Sequence, residues 1–492
     1  NHLVGVDSIA TGGQAGKPVI RGLSGNRIRV LKDGIAQDFQ QFGVRHPTTL
    51  SALSADRIDV VRGPMSVLFG ADAMGGVINV VGSDIPVGAK DVFNDFDIGF
   101  VHHSNNDLTQ FNLNAGGGFE QWGWSGVVNH SKANNFATGK LSDKELTSHI
   151  APKFYGTVPF TDFNINDINL SFGYVGQSVD WSLRYGRFDN KQNFLQPNGT
   201  PTGQELVNQN LVSDLALHIN SDLTLHGILS WQKNTRDAGT GVTYQALEPS
   251  VHDLSLALDR YQLKLLAEQY QSAHWQGQYG LEYVKKVQKT ATGQLVPDAD
   301  FESLAAFIYE RFENHYLIAE LGLRYDRISQ QPTNMSQQWV INFNKQQWNA
   351  LTGSMSLSWK VADNWLFIQR LGRGFRAPSI FELYANGVHG GVAAFQQGDS
   401  NLKEEYALNK EVAVSYLTPD IQVEASVFHN DIDDYIYQAD TGTVHAPSNL
   451  PLFRLRQGNA AIEGLEFDVK WDLTPNFSWQ LNYSAIDSEL DE

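Results

Sequence analysis

The chain has 492 residues, with 36 Lys and Arg against 54 Asp and Glu for a formal net charge of −18, a balance that disfavours nucleic acid, whose phosphates need a basic partner. It has no cysteine, which excludes disulfide frameworks, thiolate metal sites and cysteine nucleophiles. No apolar run reaches the roughly 18–20 residues of a membrane helix, but a transmembrane barrel disperses its apolar surface in alternation and stays open, and 11% aromatics with 44 glycines suit strands and turns.

The opening residues Asn1-His2-Leu3-Val4-Gly5 carry no signal-peptide pattern. Arg27 to Leu31 reads as a strand, Lys32-Asp33-Gly34 as a tight turn, and Thr48 to Ala55 as a short helix. The strand Arg57 to Val61 follows, then Pro64 as the first residue of a helix over Met65 to Phe69, then Gly75-Gly76 and the strand Val77 to Val81. Residues 1–90 are thus expected to form a small α/β domain with little apolar content of its own.

Residues 91–492 read differently. Val179, Trp181, Leu183 and Tyr185 alternate with polar residues, as do Ile421 to Val427, Leu465 to Trp471 and Phe477 to Tyr483. Each segment spans about nine to twelve residues, enough to cross a bilayer when tilted. Tight links such as Asn220-Ser221-Asp222, Ala362-Asp363 and Thr474-Pro475-Asn476 alternate with long ones. The long links run over 132–164, 189–206, 235–252, 329–349, 375–402 and 430–458. Short turns on one side and long loops on the other mark an outer-membrane barrel. The expectation is an all-β membrane protein, a large antiparallel transmembrane β-barrel of about seventeen strands. Such barrels close on an even number, so closing strands are expected to be missing and the chain to be truncated.

Parity selects inward charges. Val412, Val414 and Tyr416 face lipid, which turns Glu411 to the lumen; Leu465 and Phe467 face out, which turns Glu466 in.

The motifs then carry a resemblance. Val19-Ile20-Arg21-Gly22, Arg27 to Gly34, Ala55 to Pro64, Leu68-Phe69-Gly70 and Gly75 to Val80 closely resemble the plug domain of TonB-dependent outer-membrane receptors. Gly374-Phe375-Arg376-Ala377-Pro378-Ser379, Glu382-Leu383-Tyr384, Asn401 to Glu405 and Ala460 to Glu466 are similar to barrel signatures of the same family, in the same order. Lys403-Glu404-Glu405 departs from the usual lysine-proline-glutamate, and the family's Ton box and final strands have no counterpart. The loop after Glu382 weakly resembles the zinc-receptor branch.

That resemblance implies a barrel of about 22 strands filled by the plug. It implies buried ion pairs of Arg21 and Arg62 with Glu411 and Glu466, against the plainer reading that these acids line a wet lumen. It also implies TonB-dependent transport of a scarce nutrient across the outer membrane of a Gram-negative bacterium, by a monomer powered through the TonB-ExbB-ExbD complex. The cargo expected is a metal ion, siderophore, haem or cobalamin, with no cofactor required. A passive porin and a surface receptor or adhesin are the rival functions.

Ligand contacts are expected where the plug apex faces the outer loops. The apex candidates are Asp38, Gln40, Arg45 and His46; the loop candidates are Tyr384, Asn386 and His389, the last read as an exposed imidazole between glycines. His46 and His389, with Asp38, are the metal-ligating candidates, and loop hydrogen bonding is the alternative role for both imidazoles. Enzyme motifs are missing. Gly16-Lys17-Pro18 lacks the remainder of a phosphate loop, Gly22-Leu23-Ser24-Gly25 lacks the nucleophile-elbow spacing, and no His-Glu-x-x-His occurs.

Overall fold

In a computed structural model of the chain, the described residues are all except 1–2, 11–15, 39–46, 64–68, 89–94, 140–155, 197–198, 293–294, 334–343 and 492. Among the described residues the N-terminal unit has seven strands: β1 Val6–Ala10, β2 Gly16–Ile20, β3 Leu23–Ser24, β4 Ile28–Lys32, β5 Ile35–Ala36, β6 Arg57–Arg62 and β7 Gly76–Val81. They form a three-stranded sheet in the order β1-β2-β3 and a four-stranded sheet in the order β5-β4-β7-β6, where β4 and β7 run parallel. Leu31, Ala36, Ala73 and Val77 make the small core that joins the second sheet to its loops.

The helix expected over Thr48 to Ala55 is instead one 3-10 turn, Ala52–Ser54. The Ser51 hydroxyl accepts the Leu53 N–H, and a run this short and serine-rich cannot offset helix nucleation. The helix expected from Met65 falls almost wholly outside the described residues.

The second unit is the barrel wall. Its strands are β8 Asp95–His103, β9 Leu108–Phe119, β10 Trp122–Ala133, β11 Phe163–Val175, β12 Val179–Leu195, β13 Pro201–Asn220 and β14 Leu223–Thr240. β15 Leu254–Ser272, β16 Trp275–Thr292, β17 Ala299–Glu313, β18 Leu317–Pro332, β19 Gln346–Ala362 and β20 Trp365–Arg376 continue it. A rim insertion follows: the helix α1 Ile380–Tyr384 and the hairpin β21 Asn386–His389 with β22 Ala394–Gln397. The wall resumes with β23 Glu405–Leu417, β24 Ile421–His445, β25 Leu450–Thr474 and β26 Phe477–Asp491. Among the described residues, seventeen strands thus form the wall, each antiparallel to the next, with β20 pairing β23 past the insertion. In the order round the wall β26 lies beside β8, and both are exposed along nearly their whole length.

Several strands outrun the expected nine to twelve residues: β13 has 20, and β24 and β25 have 25 each. The stretch expected as a loop over 430–458 is mostly ladder, paired as far as His445 with Leu450 and broken by two bulges. A hairpin that continues beyond the lipid keeps its backbone hydrogen bonds while its side chains turn polar, so alternation of apolar residues marks only the membrane part of it. No helix among the described residues is long and apolar enough to cross a membrane. Alternation decides the faces: Val412, Val414 and Leu465 are exposed on the outer surface, while Glu411 and Glu466 are buried inside.

Candidate functional site

The lumen is built around charges that the plug and the wall share. Arg21 follows β2 with a positive φ of 48°, which swings its guanidinium towards β23 and β25. Its Nε and Nη2 donate to the two Glu466 oxygens at 3.0 and 2.7 Å, and Nη1 donates to Glu411 Oε2 at 2.6 Å. The guanidinium also lies over the Phe428 ring at 4.2 Å. Arg62, at the end of β6, donates to Glu466 Oε2 at 3.2 Å and to the Val4 carbonyl at 2.7 Å, and does not reach Glu411. Arg370 of β20 holds the other Glu411 oxygen. Gly63 has φ +70° and a Cβ there would stand 3.1 Å from Glu411 Oε2, so close backbone approach lets plug and wall meet.

A second cluster was not anticipated. Glu405, fully buried on β23, accepts from Arg27 of the plug at 2.9 and 2.5 Å and from Arg376 of the wall at 3.1 and 2.6 Å. Arg376 also forks onto Glu382 at 2.7 and 3.0 Å. Glu382 closes the capping box of α1 by accepting from the Ser379 N–H, while its own N–H donates to the Ser379 hydroxyl. A chain of charges therefore joins the rim helix to the plug. Glu405 shares the inward parity of Glu411, and that was the signal available in the sequence.

Asp38, expected to be a ligand contact, is held by Lys286 at 2.8 Å and Arg260 at 3.0 Å. Burial alone would raise its pKa, but those two cations carry it below the ordinary carboxylate range. Gln232 of β14 accepts from the Asp38 N–H at 3.0 Å and donates to its carbonyl at 3.1 Å, so the plug apex is pinned to the wall at that point. Gln40, Arg45 and His46 lie outside the described residues.

The rim candidates also need correction. His389 is buried, not exposed: its Nδ1 is 2.7 Å from Gln396 Oε1 across the β21–β22 hairpin and its ring stands edge-on to Phe381. The hairpin folds onto α1 and takes the imidazole with it. Tyr384 is likewise buried, its hydroxyl donating to the Asn344 carbonyl at 3.3 Å, and the Asn386 N–H donates to the Leu295 carbonyl. Among the described residues no three His, Asp or Glu side chains are grouped to hold a metal ion.

Between plug and wall, beneath α1, lies a cavity of about 180 Å³. Its lining includes Arg29, Asp72, Glu282, Arg324, Phe301 and Phe381. Asp72 has a positive φ of 74°, sits 3.5 Å from Arg29, and keeps 38% of its side chain open to the cavity. Its depth within the lumen raises its pKa, and Arg29 offsets this only in part. The cavity is smaller than the roughly 300–1,000 Å³ of ordinary ligand pockets.

A polar stopper tied by buried charges inside a lipid-facing antiparallel barrel defines a plugged outer-membrane receptor. Comparison with known proteins agrees: residues 1–77 match the TonB-dependent receptor plug domain and residues 89–491 the TonB-dependent receptor-like β-barrel. The chain belongs to the TonB-dependent receptor family, whose members are outer-membrane β-barrels. It is 25% identical over 485 residues to the vitamin B12 transporter BtuB of Vibrio vulnificus (strain YJ016), covering 95% of this chain and 68% of that protein. It is 25% identical over 540 residues to the heme/hemopexin utilization protein C of Haemophilus influenzae (strain 86-028NP), covering 96% of this chain and 73% of the relative. Among solved structures, the copper transporter OprC superposes with a TM-score of 0.78 at 16% identity, over 98% of this chain and 75% of that one. The Serratia marcescens hemophore receptor HasR gives a TM-score of 0.79 at 15% identity, over 98% and 77%. At those identities the superpositions speak for the fold alone.

Proposed function

We propose that the protein imports a scarce nutrient, a metal ion, metal chelate, haem or cobalamin, across the outer membrane of a Gram-negative bacterium, with energy supplied through TonB and its ExbB-ExbD partners. The observation that carries this reading is the Arg21–Glu411–Glu466 cluster, which ties the plug to the barrel wall through buried charges. The named cargoes of its relatives, vitamin B12 and heme, support the class of solute. The cargo is substrate and not a resident cofactor.

The plug does no chemistry on the solute. A ligand that binds the outer face better when the plug has shifted raises the population of that shifted state, by no more than its difference in affinity for the two. The rim helix α1 contacts the cavity through Ile380 and Phe381, and Arg376 ties the same segment to Glu405 and thence to Arg27. A ligand that displaces α1 therefore strains the plug's own anchor. Force applied from the periplasm then has fewer ties to break. The test is growth of a deletion strain on limiting zinc, iron, haem, copper or cobalamin, with the protein restored on a plasmid. A defect confined to one nutrient supports import, and equal growth on all of them refutes it. A passive porin would instead pass small sugars in liposomes at rates that do not change with a TonB complex.

A further inference from the structure

The buried polar atoms of the lumen are unequal in what they lack. Arg236, near the rim end of β14, is fully buried, and its Nε, Nη1 and Nη2 all have no hydrogen-bond partner. On the neighbouring strand β15, Arg260 is 1% exposed; its Nη2 has no acceptor, and its Nε faces Asp38 but is out of line for a hydrogen bond. Arg29 of the plug has an unpartnered Nε as well. Every lumenal carboxylate named above has at least one cation beside it, so among the charged groups the unmet capacity is on the donor side.

Position adds to this. Residues 230, 232, 234, 236 and 238 of β14 share the inward face, and Gln232 is the residue that pins Asp38 at the plug apex. Arg236 therefore stands about 13 Å further towards the rim than that contact. Lys17 of β2 is near enough that the Arg236 charge, together with burial, depresses it to about 7. A guanidinium taken out of water without an acid beside it is a costly arrangement. A guanidinium fork fits carboxylate and phosphate oxygens in a planar, two-point geometry.

We propose that Arg236 is the anchor of an anion-binding site, and that the solute taken up carries carboxylate or phosphate groups. The claim rests on the import reading for its role. Arg236 is poorly satisfied in this structure and gains its partner when an anion arrives. Arg260 extends the same donor surface inwards along the wall.

The test uses the purified protein in detergent, with citrate and inorganic phosphate as probes in separate titrations at constant ionic strength, kept in the low-millimolar range where general salting effects are small. The expected result is saturable binding of one or both, weakened at least tenfold in Arg236→Met and partly retained in Arg236→Lys. Tighter binding of citrate points to a carboxylate solute, and of phosphate to a phosphorylated one. In anion-free buffer Arg236→Met should melt no lower than the parent, because it removes an unpaired buried charge. A lower melting temperature there would mean that Arg236 already has a protein partner, and the proposal falls. It also falls if neither probe binds saturably, or if Arg236→Met binds as tightly as the parent. Intact TonB-dependent uptake alongside absent anion binding overturns the anion site alone and leaves import standing.

Discussion

Glu466→Gln keeps the shape of the plug anchor and removes its charge. In the parent, Glu466 is 4% exposed and accepts from Arg21 at 3.0 and 2.7 Å and from Arg62 at 3.2 Å. Arg21 and Arg370 then share Glu411, while Arg62, which does not reach Glu411, is left with Glu424, 3.9 Å away on a half-exposed side chain. Removing one partner of such a buried pair costs about 3–5 kcal/mol. With a urea slope of roughly 2 kcal/mol per molar for a unit the size of the plug, the plug should release at a urea concentration about 2 M lower. Conductance of the protein in planar bilayers, followed as urea is raised, reports release directly, because the barrel stays in the lipid while its lumen opens. Glu424→Gln is the control and should move the midpoint by less than about 0.3 M, as exposed pairs contribute little. A Glu466→Gln midpoint within that same margin of the parent would refute the idea that the buried cluster holds the plug.

Arg62→Ala should weaken the plug by only about 1–2 kcal/mol, since two hydrogen bonds are lost and Arg21 remains, and uptake of large antibiotics by intact cells should rise modestly. Glu405→Gln leaves Arg27 and Arg376 without their shared acid, and hydrogen exchange over residues 380–384 should quicken together with that of β4; quickening of one without the other would break the proposed link from rim to plug. Lys17 has a pKa of about 7 when folded against 10.5 when free, so between those values the unfolded chain holds a proton that the folded one lacks. Stability should therefore rise as pH climbs from about 7 towards 10.5 and be lowest below 7, and Lys17→Met should flatten that slope in thermal melts taken across the window.

The wall was legible because a strand in a bilayer repeats every second residue, and that period survives in sequence from Val179 to Tyr483. The same period placed Glu411 and Glu466 inside. It failed above the lipid, where β24 and β25 carry on as a polar ladder that reads as loop. His389 was misjudged because the four-residue strands β21 and β22 carry too little pattern to reveal a hairpin, and its glycine neighbours imitate an exposed loop. Partners 378 or 390 residues apart, such as Arg27 with Glu405 and Arg21 with Glu411, are brought together only by the wrapping of the barrel round the plug. No local rule predicts such a pair, though parity along β23 would have offered Glu405 as a candidate.

The most direct test of import is uptake of radiolabelled cobalamin, haem and ferric chelates by cells that make the protein, with and without a working TonB. Accumulation of one of them that disappears when TonB is deleted is the predicted outcome. Uptake that is the same in both strains, or that merely equilibrates with the medium, would contradict it.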